Sequence, residues 1–194
     1  MNLDGQGPDG QRSGPQVTAQ EVVEFWREAG PQRWFSRSDA FDRECATRFL
    51  AAHHCAARRE LESWMSHASG ALGLLILLDQ IPRNIFRDSA HAYATDALAR
   101  HYAGRAVEAG FDREVDPLLQ VFFYLPFEHS EDLRDQQRSV ELHRRLAGED
   151  AGHWALLHLD IIERFGRFPH RNAALGRTTT AEEQAFLDEG GFSG

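Results

Sequence analysis

The sequence predicts an all-α fold, a single-domain array of about seven to nine helices. Three observations carry that expectation. Apolar residues recur at helical spacing, as in Phe41, Cys45, Phe49 and Ala52, which fall on one face of a helix. Thr18-Ala19-Gln20-Glu21 and Thr180-Ala181-Glu182-Glu183 have the pattern of capping boxes, in which threonine and glutamate satisfy the first backbone N–H groups. No stretch sustains the period-two alternation of a half-buried strand, and no repeat of fixed period is visible.

The elements follow in order. Residues 1–16, rich in Gly, Gln, Pro and Asp, are expected to form a disordered leader, with 17–194 as the domain. The box at Thr18 opens a helix to about Ala29, carrying Val22, Val23, Phe25 and Trp26, and Gly30-Pro31 is expected to end it. Ser38-Asp39 caps a second helix. The stretch from Ser69 to Gln80 is apolar all round, which predicts a central buried helix stopped by Pro82. A long helix rich in alanine runs from near Ser89 to Gly110. Asp116-Pro117 opens a short apolar helix that Pro126 is expected to close. Further helices are expected from about Ser130 to Ala147 and from Asp150 to Phe165, and a last short one follows Thr180.

Composition removes several kinds of function. The chain has 30 acidic and 21 basic residues and a formal charge of −9, which disfavours nucleic acid and anionic membrane as partners. Every basic residue is an arginine, so no lysine Schiff base or Walker-type lysine is available. Cys45 and Cys55 on one helix would lie ~15 Å apart, too far for a disulfide. Neither belongs to a CxxC pair, so zinc and redox motifs are absent. The longest apolar run, Ala71 to Leu78, has eight residues, against the ~20 of a bilayer span. No signal-peptide pattern is visible, and a cytoplasmic location is expected.

Polar residues interrupt the apolar pattern at particular places. Asp79-Gln80 ends the all-apolar stretch, where a buried carboxylate demands a cation. Arg83, Arg164, Arg167 and Arg171 are the candidates, because arginine pairs bidentately with carboxylates. His158 falls within the inward stripe Ala151, Trp154, Ala155, Ile161, Ile162 and Phe165, where a histidine is more often a satisfied core residue than a ligand. In the helix after Ser130, Leu133, Val140 and Ala147 repeat every seven residues, with Gln136 and Gln137 in the seam. At least one glutamine must face inward and find hydrogen bonds. His129, Glu131 and Asp132 sit at the start of that helix, where acids also complement the dipole. The densest set is Phe165-Gly166-Arg167-Phe168-Pro169-His170-Arg171-Asn172 with Leu175-Gly176-Arg177. If the helix ends carrying these sets gather on one side, they form a polar pocket with apolar walls.

The same segments carry a resemblance. Phe25-Trp26, Trp34-Phe35, Phe41-Asp42, Phe49, Trp64, Asp79 to Asn84, Ala94-Thr95-Asp96, Phe123 to Asp132 and Phe165 to Asn172 resemble a bacterial family defined as domain of unknown function 924, over about Val22 to Phe192. The resemblance implies a tetratricopeptide-like helical array. It brings no activity and no cofactor.

The residues support several readings. In the first, a small anionic ligand is clamped by Arg83, Arg167 and Arg171 and oriented by Asn84 and Asn172, with Phe123 and Tyr124 as walls. The ligand-binding set is then Asp79, Gln80, Arg83, Asn84, His129, Glu131, Gln136, His158, Arg164, Arg167, His170, Arg171 and Asn172. In the second, His129, Glu131 and His170 do acid–base or metal-assisted chemistry, although no HExxH, GxSxG, P-loop or GxGxxG motif is present. In the third, a helical scaffold holds a peptide or protein partner, with the polar motifs lining an open concave face. Against all three stands a structural alternative in which the arginines pair with buried acids and tie helix ends together.

Overall fold

The computed structural model describes residues 17–146 and 152–192. The expected leader, Ala147 and the expected helix start at Asp150-Ala151 lie outside the described residues. Within them the chain is helical throughout and has no strand. The main helices are α1 (Ala19–Trp34), α2 (Asp39–Ala57), α3 (Ala68–Leu75), α4 (Ile81–Ile85), α5 (Asp96–Glu108), α6 (Leu125–Glu128), α7 (Leu133–His143), α8 (His153–Phe165) and α9 (Ala181–Asp188), joined by short 3-10 turns. No described helix is long and apolar enough to cross a membrane.

Capping follows the sequence. The Thr18–Glu21 and Thr180–Glu183 boxes both close reciprocally, and Ser38 accepts from Phe41 N–H. Two of the prolines behave differently from expectation. Gly30-Pro31 ends the first helical run as expected, with Pro31 opening a short second run to Trp34, but Pro82 and Pro126 do not end helices; each lies in the first turn of one. A first-turn N–H has no intrahelical partner, so its loss there costs nothing. At Gly30 the backbone takes φ 69°, a left-handed value open to glycine, and α1 kinks before resuming to Trp34.

Pro82 has the largest consequence. The apolar stretch does not stop at it but widens into a π-turn over Ile76–Gln80 and continues as α4. Ile81 N–H reaches back to Ile76 O, which deprives Leu77 O of its α-helical donor. Pro82 has no N–H to give Leu78 O. Other elements supply both. His53 Nδ1, from α2, lies 2.8 Å from Leu77 O, and Thr95 Oγ1, just before α5, donates to Leu78 O at 2.5 Å. The wide turn is thereby fastened to two neighbours, as buried carbonyls require.

Packing proceeds along the chain: α1 on α3, α2 on α4, α3 on α5, α5 on α6, α6 on α7 and α7 on α8. The main core runs from Val22 to Leu142 around Trp26, Phe41, Phe49, Leu75, Tyr102, Phe122 and Phe127. A smaller cluster of Ile161, Ile162 and Phe168, joined by Leu157, Phe165, Phe186 and Phe192, gathers under the C-terminal helices. Two residues depart from the expected stripes. Trp154 is 55% exposed and Leu133 43% exposed, because the inward faces of α8 and α7 are set by Ala155, His158, Ile161 and Ile162, and by Gln136, Ser139, Val140 and His143.

Replacing Thr95 by valine should leave Leu78 O buried without a donor and lower stability by about 1–3 kcal/mol. Urea unfolding measures the loss, and Thr95→Ser, which keeps the hydroxyl, should recover most of it.

Candidate functional site

The wide turn sets Asp79 inside the protein, 1% exposed. Burial opposes its ionisation, but the charge of Arg83 and the hydrogen bonds from His129 and Gln80 outweigh it. The carboxyl is therefore held well below its usual range. Oδ1 is 2.8 Å from His129 Nδ1 and 3.3 Å from Arg83 Nη1; Oδ2 accepts from Gln80 Nε2 at 2.6 Å. Arg83 also grips Asp96 with two bonds of 3.0 Å and donates to Asp79 O.

His129 is the part-open member, its side chain 14% exposed. An ionised carboxylate only accepts, so Nδ1 carries the hydrogen and Nε2 is left as an acceptor. Burial and the neighbouring Arg83 charge keep the ring neutral, overcoming the pull of Asp79. The 2.8 Å contact is a hydrogen bond from a neutral imidazole rather than an ion pair. Arg171 donates to His129 O at 3.0 Å and approaches Asp96 Oδ2 at 3.5 Å. Its guanidinium lies between Tyr93 and Phe168, 4.6 and 4.4 Å from the ring centroids. Burial and Arg83 push its pKa down to about 10, and it remains a cation. Asp79 and Asp96 thus balance Arg83 and Arg171.

A second layer of histidines backs this group. His158 Nδ1 lies 2.8 Å from Trp154 O, and its ring packs edge-on against Phe168 and Phe192. His170 touches the same two rings. Burial, with nearby positive charge, pushes both histidines down to about 3. Glu128 lies beside them, with His143 Nε2 3.3 Å from Oε2 and His158 Nδ1 3.6 Å from Oε1. Burial and the Asp79 charge push Glu128 up to about 8, while burial lowers His143. Gln136, in the seam of α7, donates to both Glu128 O and Ser130 O at 2.6 Å, fixing the turn that carries His129. Gln136 Oε1, His170 Nδ1 and Arg171 Nε are buried with no hydrogen-bond partner among the described residues.

The remaining expected residues lie elsewhere. Glu131 is clamped by Arg177 at 2.8 and 3.0 Å and accepts from Phe168 N at 2.8 Å. Arg167 grips Glu183 at 2.6 and 2.8 Å, and Asn172 donates to the same carboxylate at 3.2 Å. These form a separate brace for the loop after α8, which leaves the helix at Gly166 with φ 67°. Asn84 turns the other way, accepting from Arg87, which is paired to Asp42 of α2. Arg164 does not join Asp79. It pairs with Glu182 at 3.2 Å on the surface, because it faces outward from the last turn of α8. Phe123 is a core residue, and Tyr124 donates from its hydroxyl to Asp112 at 2.7 Å. No group of three or more His, Cys, Asp or Glu among the described residues is arranged to hold a metal.

Asp96 and Glu128 belong to the cluster, yet the sequence reading does not select them as site residues. Asp96 opens α5, where an acid ordinarily complements the dipole. Glu128 had a usable signal, a single acid directly after the apolar run Val121–Phe127.

The buried histidines set the acid limb of stability. Their folded pKa values lie below the ordinary 6.5, near 3, so the stabilisation is present above pH 6.5 and is lost as pH falls toward 3. His170→Gln should flatten the dependence of the urea midpoint on pH across this window. An unchanged slope would show that His170 already titrates normally.

Comparison with known proteins adds family and fold. Residues 22–191 match the family described as bacterial protein of unknown function DUF924. A solved structure, a protein of unknown function from Agrobacterium tumefaciens, is similar at 52% identity with a TM-score of 0.85, covering 88% of this chain and 97% of that one. No curated protein matches. The chain belongs to the DUF924 family.

Proposed function

We propose that the protein binds a small anionic molecule at the part-open rim where Arg83, His129, His170 and Arg171 meet, and that His129 exchanges a proton with it. The Asp79–His129 hydrogen bond of 2.8 Å carries this reading. A carboxylate that fixes an imidazole by Nδ1 leaves Nε2 available as a base, the arrangement general acid–base chemistry needs. Proton exchange also answers a difficulty of charge. Arg83 and Arg171 are already balanced by Asp79 and Asp96, so an anion gains most if it brings a proton or induces one to bind at His129.

A second reading makes the arginines purely structural. It is favoured by the carboxylate partners of Arg83, Arg167 and Arg177. Against a peptide-binding concave face stands the burial of Asp79, Gln136, Arg171 and Asn172. The tetratricopeptide-like comparison remains one of architecture, and a protein partner would use other surfaces. The free cysteines suit a cytoplasmic location.

Thermal unfolding against phosphates and carboxylates tests the proposal. A ligand at a hundred times its Kd should add ~2.7 kcal/mol. His129→Gln, which keeps a donor for Asp79, should lose that gain while melting cooperatively. A gain that survives the substitution would move the ligand elsewhere, and no gain from any anion would leave the structural reading.

A further inference from the structure

Glu128 is a buried acid that the ligand reading does not use. Its surroundings identify its protonation state independently of any titration. His143 Nδ1 lies 2.9 Å from Ser139 O, and a carbonyl only accepts, so Nδ1 carries the ring hydrogen. In a neutral ring, Nε2 then presents a lone pair. That nitrogen lies 3.3 Å from Glu128 Oε2, an oxygen with no hydrogen-bond partner among the described residues. A carboxylate there would set two acceptors against each other. The alternative, a doubly protonated imidazole, is opposed by the burial of the ring. His158 offers no compensation, because its Nδ1 is 2.8 Å from Trp154 O and 3.6 Å from Glu128 Oε1. No arginine among the described residues is paired with Glu128, whereas Asp79, Asp96, Glu131 and Glu183 each have one.

We propose that Glu128 is a carboxylic acid at neutral pH, its proton directed at His143 Nε2, and that it serves as the proton reserve of the His129 site. The second half rests on the reading of His129 as the ligand-facing base; the first half does not. The coupling is electrostatic. Around Glu128 stand Asp79 from the π-turn, His129 next in the chain, His143 from α7 and His158 from α8. Arg83, Asp96, His170 and Arg171 lie beyond them. Asp79 disfavours a second negative charge close by. A proton taken by His129 from the ligand offsets Asp79 and eases release of the Glu128 proton to solvent, leaving a carboxylate; the reverse transfers restore the resting state. The total charge of the buried cluster is then conserved.

Infrared titration reads this directly. The wild type should show a protonated-carboxyl C=O band at pH 7 that is absent from Glu128→Gln, an isosteric neutral replacement expected to fold. In Asp79→Asn the titration midpoint should move toward acid. That variant keeps a carbonyl oxygen for His129, and Arg83 keeps Asp96. Absence of the band from the wild type at neutral pH would overturn the proposal without need of a variant. A band whose midpoint is unmoved by Asp79→Asn would overturn the coupling and leave the ligand reading standing. Anion binding that survives His129→Gln would remove the ligand reading and leave the protonated acid in place.

Discussion

The structure depends on one backbone consequence of Pro82. Its missing N–H and the wide turn before it free the carbonyls of Leu77 and Leu78 inside the core. Those carbonyls cannot be left bare, since an unsatisfied buried acceptor costs about 1–3 kcal/mol. His53 and Thr95 meet them, which fastens α2 and the start of α5 to the turn. The same turn buries Asp79 and aims it at His129. The following turn of α4 carries Arg83 to Asp79 and Asp96 together. The break in regular helix thus places the chemical groups, a use to which π-turns are frequently put.

From there the polar network divides by electrostatic logic. Around His129 and in the loop after α8, acids are matched with arginines: Asp79 and Asp96 share Arg83, Glu131 has Arg177, and Glu183 has Arg167. His129, His158 and His170 are kept neutral by burial and by Arg83 and Arg171. Glu128, without an arginine, is kept neutral as well. An interior built this way carries little net charge while holding several groups whose protonation changes if a charge is added at His129. This favours proton exchange over simple electrostatic capture of an anion.

Much of this was legible in the sequence. Capping boxes, the i, i+4 apolar spacing and the all-apolar stretch gave the helices and the central buried segment. The demand of Asp79 for a cation was readable from its place after that stretch, and Gln136 was readable as a polar residue in an apolar seam. The roles of Pro82 and Pro126 were not, because proline is compatible with a helix end and with a helix first turn, and only the neighbouring carbonyls decide. Arg167 and Arg171, four residues apart, go to different acids because a 3-10 turn separates their directions. Asp96 and Glu128 escaped notice for opposite reasons. The first looks like an ordinary helix-start acid, and the second is recognisable only once its missing arginine is known.

The claim on which the account turns is that Asp79 fixes His129 as a neutral imidazole with its hydrogen on Nδ1. Side-chain NMR of protein carrying nitrogen-15 histidine measures this directly. His129 should be neutral at pH 7 as the Nδ1–H tautomer, with that preference lost in Asp79→Leu, which offers the ring no acceptor. A doubly protonated ring at pH 7, or one with its hydrogen on Nε2, would contradict it.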